Sequence, residues 1–146
     1  MKHDDHRVPR DEFRRRVRHL DEVLTILDGL AKTPIDVFLV NPEKYGSAER
    51  FLQVALLALH NLGAEVVSIR DAVRVDKDWN VPDRLEASGL ISKEEAALWR
   101  DVNRFHDVFV QDDLEVAHRR VHEILTTRLE DLRSLMRTVV RAEQRS

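Results

Sequence analysis

The sequence predicts an all-α protein, an antiparallel four-helix bundle with one or two short extra helices, and three observations carry that prediction. Glycine and proline are scarce, 4 of each among 146 residues, so few positions interrupt a helix. Apolar residues recur at steps of three and four over long stretches, the spacing that lines one face of a helix. No segment of useful length alternates with the period of a strand. A chain of this length makes about one domain and buries about two-thirds of the surface its unfolded form exposes.

The elements follow in order. Phe13, Val17, Leu20, Val23, Leu24, Leu27 and Leu30 form one stripe, placing a first helix from about Pro9 to Ala31. Thr33-Pro34 is a cap followed by proline at the first helical position, which predicts a short turn from Ile35 to Val40. Asn41-Pro42 repeats the signal and opens a second long helix, whose stripe runs Phe51, Leu52, Ala55, Leu59, Leu62, Val66 and Ile69, widened by Leu56 and Leu57 to suggest burial on more than one side. Asp71 to Pro82 reads as a connector into a short helix, Asp83 to Ala87, ending at Ser88-Gly89. Ser92 and Glu95 form a capping box for a third helix from Lys93 to about Val108. Asp112 with Glu115 opens the fourth in the same way, with Leu114, Ala117, Val121, Ile124, Leu125, Leu132, Leu135, Met136 and Val139 facing inward.

The net charge of −3 hides an uneven distribution. Residues 1–20 and 118–146 each carry seven Lys/Arg against four Asp/Glu, so both ends are basic and the middle is acidic. Such ends can attract RNA or an acidic partner, or be solvated helix faces paired with glutamate. The absence of cysteine excludes disulfides, thiolate metal sites and a cysteine nucleophile. No glycine-rich phosphate loop occurs. The longest nearly uncharged run, Phe51 to Ala64, is shorter than the about 20 apolar residues that cross a bilayer, and no apolar leader precedes it; a cytoplasmic protein without membrane contact is expected.

The densest chemistry lies in the third helix. At about 100° per residue, Leu98, Val102, Phe105 and Phe109 share a sector, and Arg100, Asn103 and Asp107 share another about 150° away. His106 falls between them beside Trp99, where an imidazole is partly desolvated and within reach of Asn103. Arginine, a polar residue and histidine suit RNA cleavage. RNA carries its own nucleophile, the 2′-hydroxyl, so an imidazole to move protons and a guanidinium to hold phosphate charge are sufficient, without metal or cofactor. Spacing alone leaves open that these are surface groups, or that the histidine is satisfied at the core edge. His118 and His122 stand one turn apart but lack a third ligand, so no metal site is expected and His118 reads as lying on a solvated face. His60 reads as a hydrogen-bonded histidine at a packing edge, and His3 and His6 lie in the N-terminal tail.

The order of segments resembles the HepT-like proteins of the HEPN superfamily: Asn41-Pro42 before Ala48-Glu49-Arg50-Phe51-Leu52-Gln53, then Leu85 to Ile91 before a capped helix, an Arg…His motif, and Asp112-Asp113 before the last helix. The resemblance covers about residues 11–138. It implies residues 1–10 as a flexible tail and 11–142 as one helical-bundle domain, a homodimer whose cleft cleaves RNA without metal, and a toxin paired with a minimal nucleotidyltransferase antitoxin of the MntA type. It implies catalytic Arg100 and His106 with the polar Asp101 beside them; from its place on the helix Asn103 joins Asp101 in orienting them, and Arg104 is read as a secondary phosphate contact. The alternative is a non-catalytic partner or substrate-binding subunit of such a nucleotidyltransferase. The narrower HepT-like motif has four intervening residues and a tyrosine two positions after the histidine, the residue its antitoxin adenylylates. This sequence has five, and Val108 at that place. The broad belt of the second helix, with Trp99 and Val102 beside the motif, also suggests a homodimer.

Overall fold

The computed structural model describes residues 10–71 and 80–146. They form seven α-helices and no strand: α1 (Arg10–Ala31), α2 (Ile35–Phe38), α3 (Pro42–Asp71), α4 (Val81–Ala87), α5 (Lys93–Asn103), α6 (Leu114–Thr127) and α7 (Leu129–Arg145), with a 3₁₀ segment, Arg104–Val110, after α5. Arg10, the first described residue, is helical, in keeping with a first helix from about Pro9. Most of the N-terminal tail, with His3 and His6, and most of the Asp71–Pro82 connector lie outside the described residues.

Helix α3 is the hub, packed against α1, α4, α6, α7 and the 3₁₀ segment. The Asn41 Oδ1 starts it by accepting the amides of Glu43 (3.1 Å) and Lys44 (3.3 Å), with Pro42 at the position that needs no donor. Ala48, Leu52, Ala55, Leu56, Leu59, Leu62, Val66 and Val67 are buried. Leu57, expected to widen the buried belt, is instead half exposed at 52%. By length and composition Pro42–Arg70 is apolar enough to span a bilayer, which the shorter uncharged run did not suggest, yet more than half of its apolar stretch is buried among the other helices. It is a core helix.

Several boundaries depart from expectation by a residue or two. Pro34 rather than Thr33 caps α2, and the Asp36 Oδ1 takes the Val37 amide. Helix α4 starts at Val81, because Pro82 fits the first turn and both are buried. It ends as expected: Gly89 at φ 75°, with the Leu90 amide bonded to the Leu85 carbonyl (3.0 Å) and the Gly89 amide to Glu86 (3.0 Å), a Schellman closure. Asp113, not Asp112, caps α6 through the Val116 amide (3.1 Å). The expected fourth helix is interrupted at Arg128. Thr126 and Thr127 turn their hydroxyls back onto the carbonyls of His122 (3.0 Å) and Glu123 (2.6 Å), competing for the helix's own acceptors where the axis breaks.

Candidate functional site

The capping box forms as read: Ser92 Oγ accepts the Glu95 amide (3.0 Å) and Glu95 Oε1 accepts the Ser92 amide (2.8 Å). The second Glu95 oxygen accepts from Arg141 (2.6 Å) and Thr138 (3.2 Å), tying the start of α5 to α7. Burial by itself raises the Glu95 carboxyl, but these donors outweigh it and hold the group below its ordinary 4.5.

From Trp99 onward, burial repeats every three residues. Trp99, Val102, Phe105 and Val108 are buried, Asn103, His106 and Phe109 are half-buried, and Arg104, Asp107 and Val110 are exposed. This is the period of a 3₁₀ helix, whose side chains at i and i+3 eclipse. The third helix therefore does not run as α to Val108. Tighter winding after Asn103 leaves His106 about 60° around the axis from Arg100, where continuous α winding leaves about 120°. Asn103, His106 and Phe109 form one column, and the His106 and Phe109 rings meet edge-on at 5.9 Å.

Trp99 anchors this arrangement. It is 1% exposed, and it fits because Gly63 of α3 has no side chain: a Cβ there would stand 2.5 Å from Val81 Cγ1 and 2.9 Å from Trp99 Cη2. Trp99 and Val102 are thus closed off within one chain and are not the surplus surface that suggested a second copy.

The expected residues divide into groups. Arg100 reaches α4, with Nη1 2.6 Å from Asp83 Oδ1 and 3.6 Å from Glu86 Oε1. Asp101 turns to Arg128, 2.7 Å away at the break between α6 and α7, and stands 3.9 Å from Arg104. Arg128 also lies over the Phe105 ring at 5.0 Å and bonds Asp131 at 2.5 Å. Arg104 sits in the exposed column and, with Asp107, Gln111 and Arg120, lines a groove of about 300 Å³ against α6. His106 faces α3. Burial lowers its pKa below the ordinary 6.5, His60 lowers it further, and Asp107 opposes both.

Asp83, Glu86, Arg128 and His60 were missed as neighbours of the site. The acidic pair three residues apart on a short helix was a visible signal for Arg100, whereas nothing local ties Arg128 to Asp101. His118 is corrected: it is buried at 9% exposure and stacks on Tyr45 with ring centroids 3.7 Å apart. His122 Nε2 lies 2.7 Å from the Thr33 carbonyl, to which it donates, and its ring contacts Phe38 at 5.0 Å. No group of three or more metal-ligating side chains occurs among the described residues.

A helical bundle with a half-buried imidazole two turns beyond an arginine, preceded by this capped helix, invites comparison with known families, and the Ribonuclease HepT-like model matches residues 19–139. The chain belongs to the HepT-like ribonuclease family. No curated protein and no solved structure matches it. In this HepT-like chain the position two residues after the histidine, Val108, is in the buried column at 6% exposure.

Proposed function

We propose that this HepT-like protein is a metal-independent RNA endonuclease, the toxin of a cytoplasmic toxin–antitoxin pair, acting as a homodimer. The observation that carries the reading is His106: a half-buried imidazole whose protonated form burial disfavours, so that it is neutral near physiological pH. Neutral His106 takes the proton from the 2′-hydroxyl as that oxygen bonds phosphorus. The P–O5′ bond breaks, the 5′-oxygen takes a proton from water, the His106 imidazolium returns its proton to solvent, and a 2′,3′-cyclic phosphate remains. Arg100 holds the developing phosphate charge bidentately. Its present ion pair with Asp83 is exposed, 44% and 58% for the two side chains, and such pairs are worth at most about 1 kcal/mol, so a substrate phosphate exchanges for it readily. Asn103 shares the His106 column and orients it, Asp101 sets the helix position through Arg128, and Arg104 takes a flanking phosphate.

The family pairs with nucleotidyltransferase antitoxins. Valine offers no hydroxyl and Val108 is buried, so neutralisation here acts by binding or at another residue. A second copy meets this face at exposed surface such as Leu57 rather than at Trp99. The engagement of Arg100 by two carboxylates favours the second reading, a non-catalytic subunit of the nucleotidyltransferase. Purified protein incubated with RNA and chelator decides between them. Cleavage that His106→Ala abolishes supports the first, and no cleavage at any protein concentration supports the second. Light scattering that shows a monomer at micromolar concentration removes the dimer.

A further inference from the structure

Helix α1 begins with more cations than nearby carboxylates match, although Arg10 pairs with Glu143 of α7. Over residues 10–19 it carries five arginines and a histidine against Asp11 and Glu12. Arg15 and Arg16 share a single carboxylate, Glu12. Arg14 and Arg18 are exposed, one turn apart, and have no ion pair among the described residues. Like charges at that spacing cost about 0.2–0.5 kcal/mol, so the fold gains nothing from the pair. Two grooves flank the ridge, one of about 570 Å³ between α1 and α3 and one of about 310 Å³ between α1 and α7, and Arg18 stands on the lip of both. The larger groove reaches α3 at Asn61. The preceding residue, His60, is the one whose charge bears on His106. The groove and the candidate site therefore lie on adjacent faces of one helix, about 10–12 Å across, with exposed Leu57 between them.

We propose that the exposed side of α1, centred on Arg14 and Arg18, tracks the phosphate backbone of single-stranded RNA and leads it across α3 towards His106. The inference rests on the ribonuclease reading for its choice of ligand. A single strand is specified because attack by the 2′-hydroxyl needs a backbone that can turn in line with the leaving oxygen, which a duplex resists. Guanidiniums without carboxylate partners release condensed counterions from such a strand, the term that dominates sequence-independent affinity.

The test uses the full chain and a fluorescein-labelled 2′-O-methyl RNA of about 12 nucleotides, which cannot be cleaved, read by anisotropy across a salt series. Arg14→Gln with Arg18→Gln should weaken binding about tenfold at about 50 mM salt and flatten the logarithmic salt slope by about 1.4, two contacts at about 0.7 each. Arg14→Lys with Arg18→Lys should keep the slope, and Arg137→Gln, an exposed arginine paired with Glu130, should change nothing. Thermal melts of the glutamine variant should match the parent, since both positions are exposed. Unchanged affinity and slope in that variant, an equal loss with Arg137→Gln, or a defect confined to antitoxin binding would overturn the proposal. If the chain cleaves no RNA and yet Arg14 and Arg18 set the slope, the ribonuclease reading fails alone; if it cleaves and the slope is unmoved, the ridge fails alone.

Discussion

Two pairs of histidines sit in this molecule at comparable depth and in different surroundings. On α6, His118 is stacked face to face on Tyr45 and His122 donates to the Thr33 carbonyl, so each ring is held by an aromatic or polar neighbour and together they brace α6 against α2 and α3. Across the bundle, the His106 ring meets Phe109 edge-on, burial lowers its pKa, and the charge of His60 lowers it further. Burial alone does not make an imidazole reactive. What distinguishes His106 is that burial, with the charge of His60 added to it, disfavours its protonated form.

Substituting one histidine from each pair tests that distinction most directly. His106→Ala should lower RNA cleavage by about 10²-fold or more with little change in melting temperature. His118→Ala should do the reverse, losing about 0.5–1.5 kcal/mol of ring pairing beyond its buried area while cleavage per folded molecule is kept. Cleavage assays beside thermal melts of both variants read the crossing. Equal activity losses would collapse the two pairs into one class.

A second way to break the comparison is to disturb the anchor of the His106 column and leave α6 intact. Gly63→Ala drives a methyl group into Val81 and Trp99, an overpacking of about 1–3 kcal/mol that the roughly 1 kcal/mol helix gain of alanine does not cover. Urea unfolding should show the loss, and near-ultraviolet dichroism should show a displaced tryptophan. A more stable variant would mean that Trp99 is not seated as described.

Glu95 offers a smaller, pH-dependent effect at the start of the same segment. Its folded pKa is lowered, so its contribution is fully present above the ordinary 4.5 and disappears as pH falls through the lower folded value. Glu95→Gln should therefore cost about 1–2 kcal/mol at pH 7 and converge on the parent in strong acid, followed by urea melts at both pH values. A deficit independent of pH would leave the charge no part in it.

The smallest expected effect sharpens the site itself. His106 is neutral down to a pH below its ordinary 6.5, and cleavage that uses it as a base should fall only below that point. His60→Gln removes one of the two causes and should move the acid limb of the pH–rate profile upward, with the plateau unchanged. A limb that stays in place would assign the whole shift to burial.

Much of this fold was legible because much of it is local. Asn41-Pro42, the Ser92–Glu95 box and the Ser88-Gly89 stop each encode hydrogen bonds among residues a few positions apart, and the structure makes them with the expected partners. Residues 98–109 show where that ends. Their apolar positions support two registers, Leu98-Val102-Phe105-Phe109 for an α-helix and Trp99-Val102-Phe105-Val108 for a three-residue repeat. The sequence by itself determined the all-helical class, the main apolar stripes and most helix limits to within a few residues, because these depend on spacings of one to four positions. Tertiary packing alone decided the rest. Seating Trp99 against Gly63 accompanies the second register, which puts His106 in the half-buried column and sends Val108 inward. The same packing sets Asp83 on Arg100, Arg128 on Asp101 and His60 beside His106. These partners lie on different helices, and no periodicity along one chain segment specifies which groups another helix will carry to it.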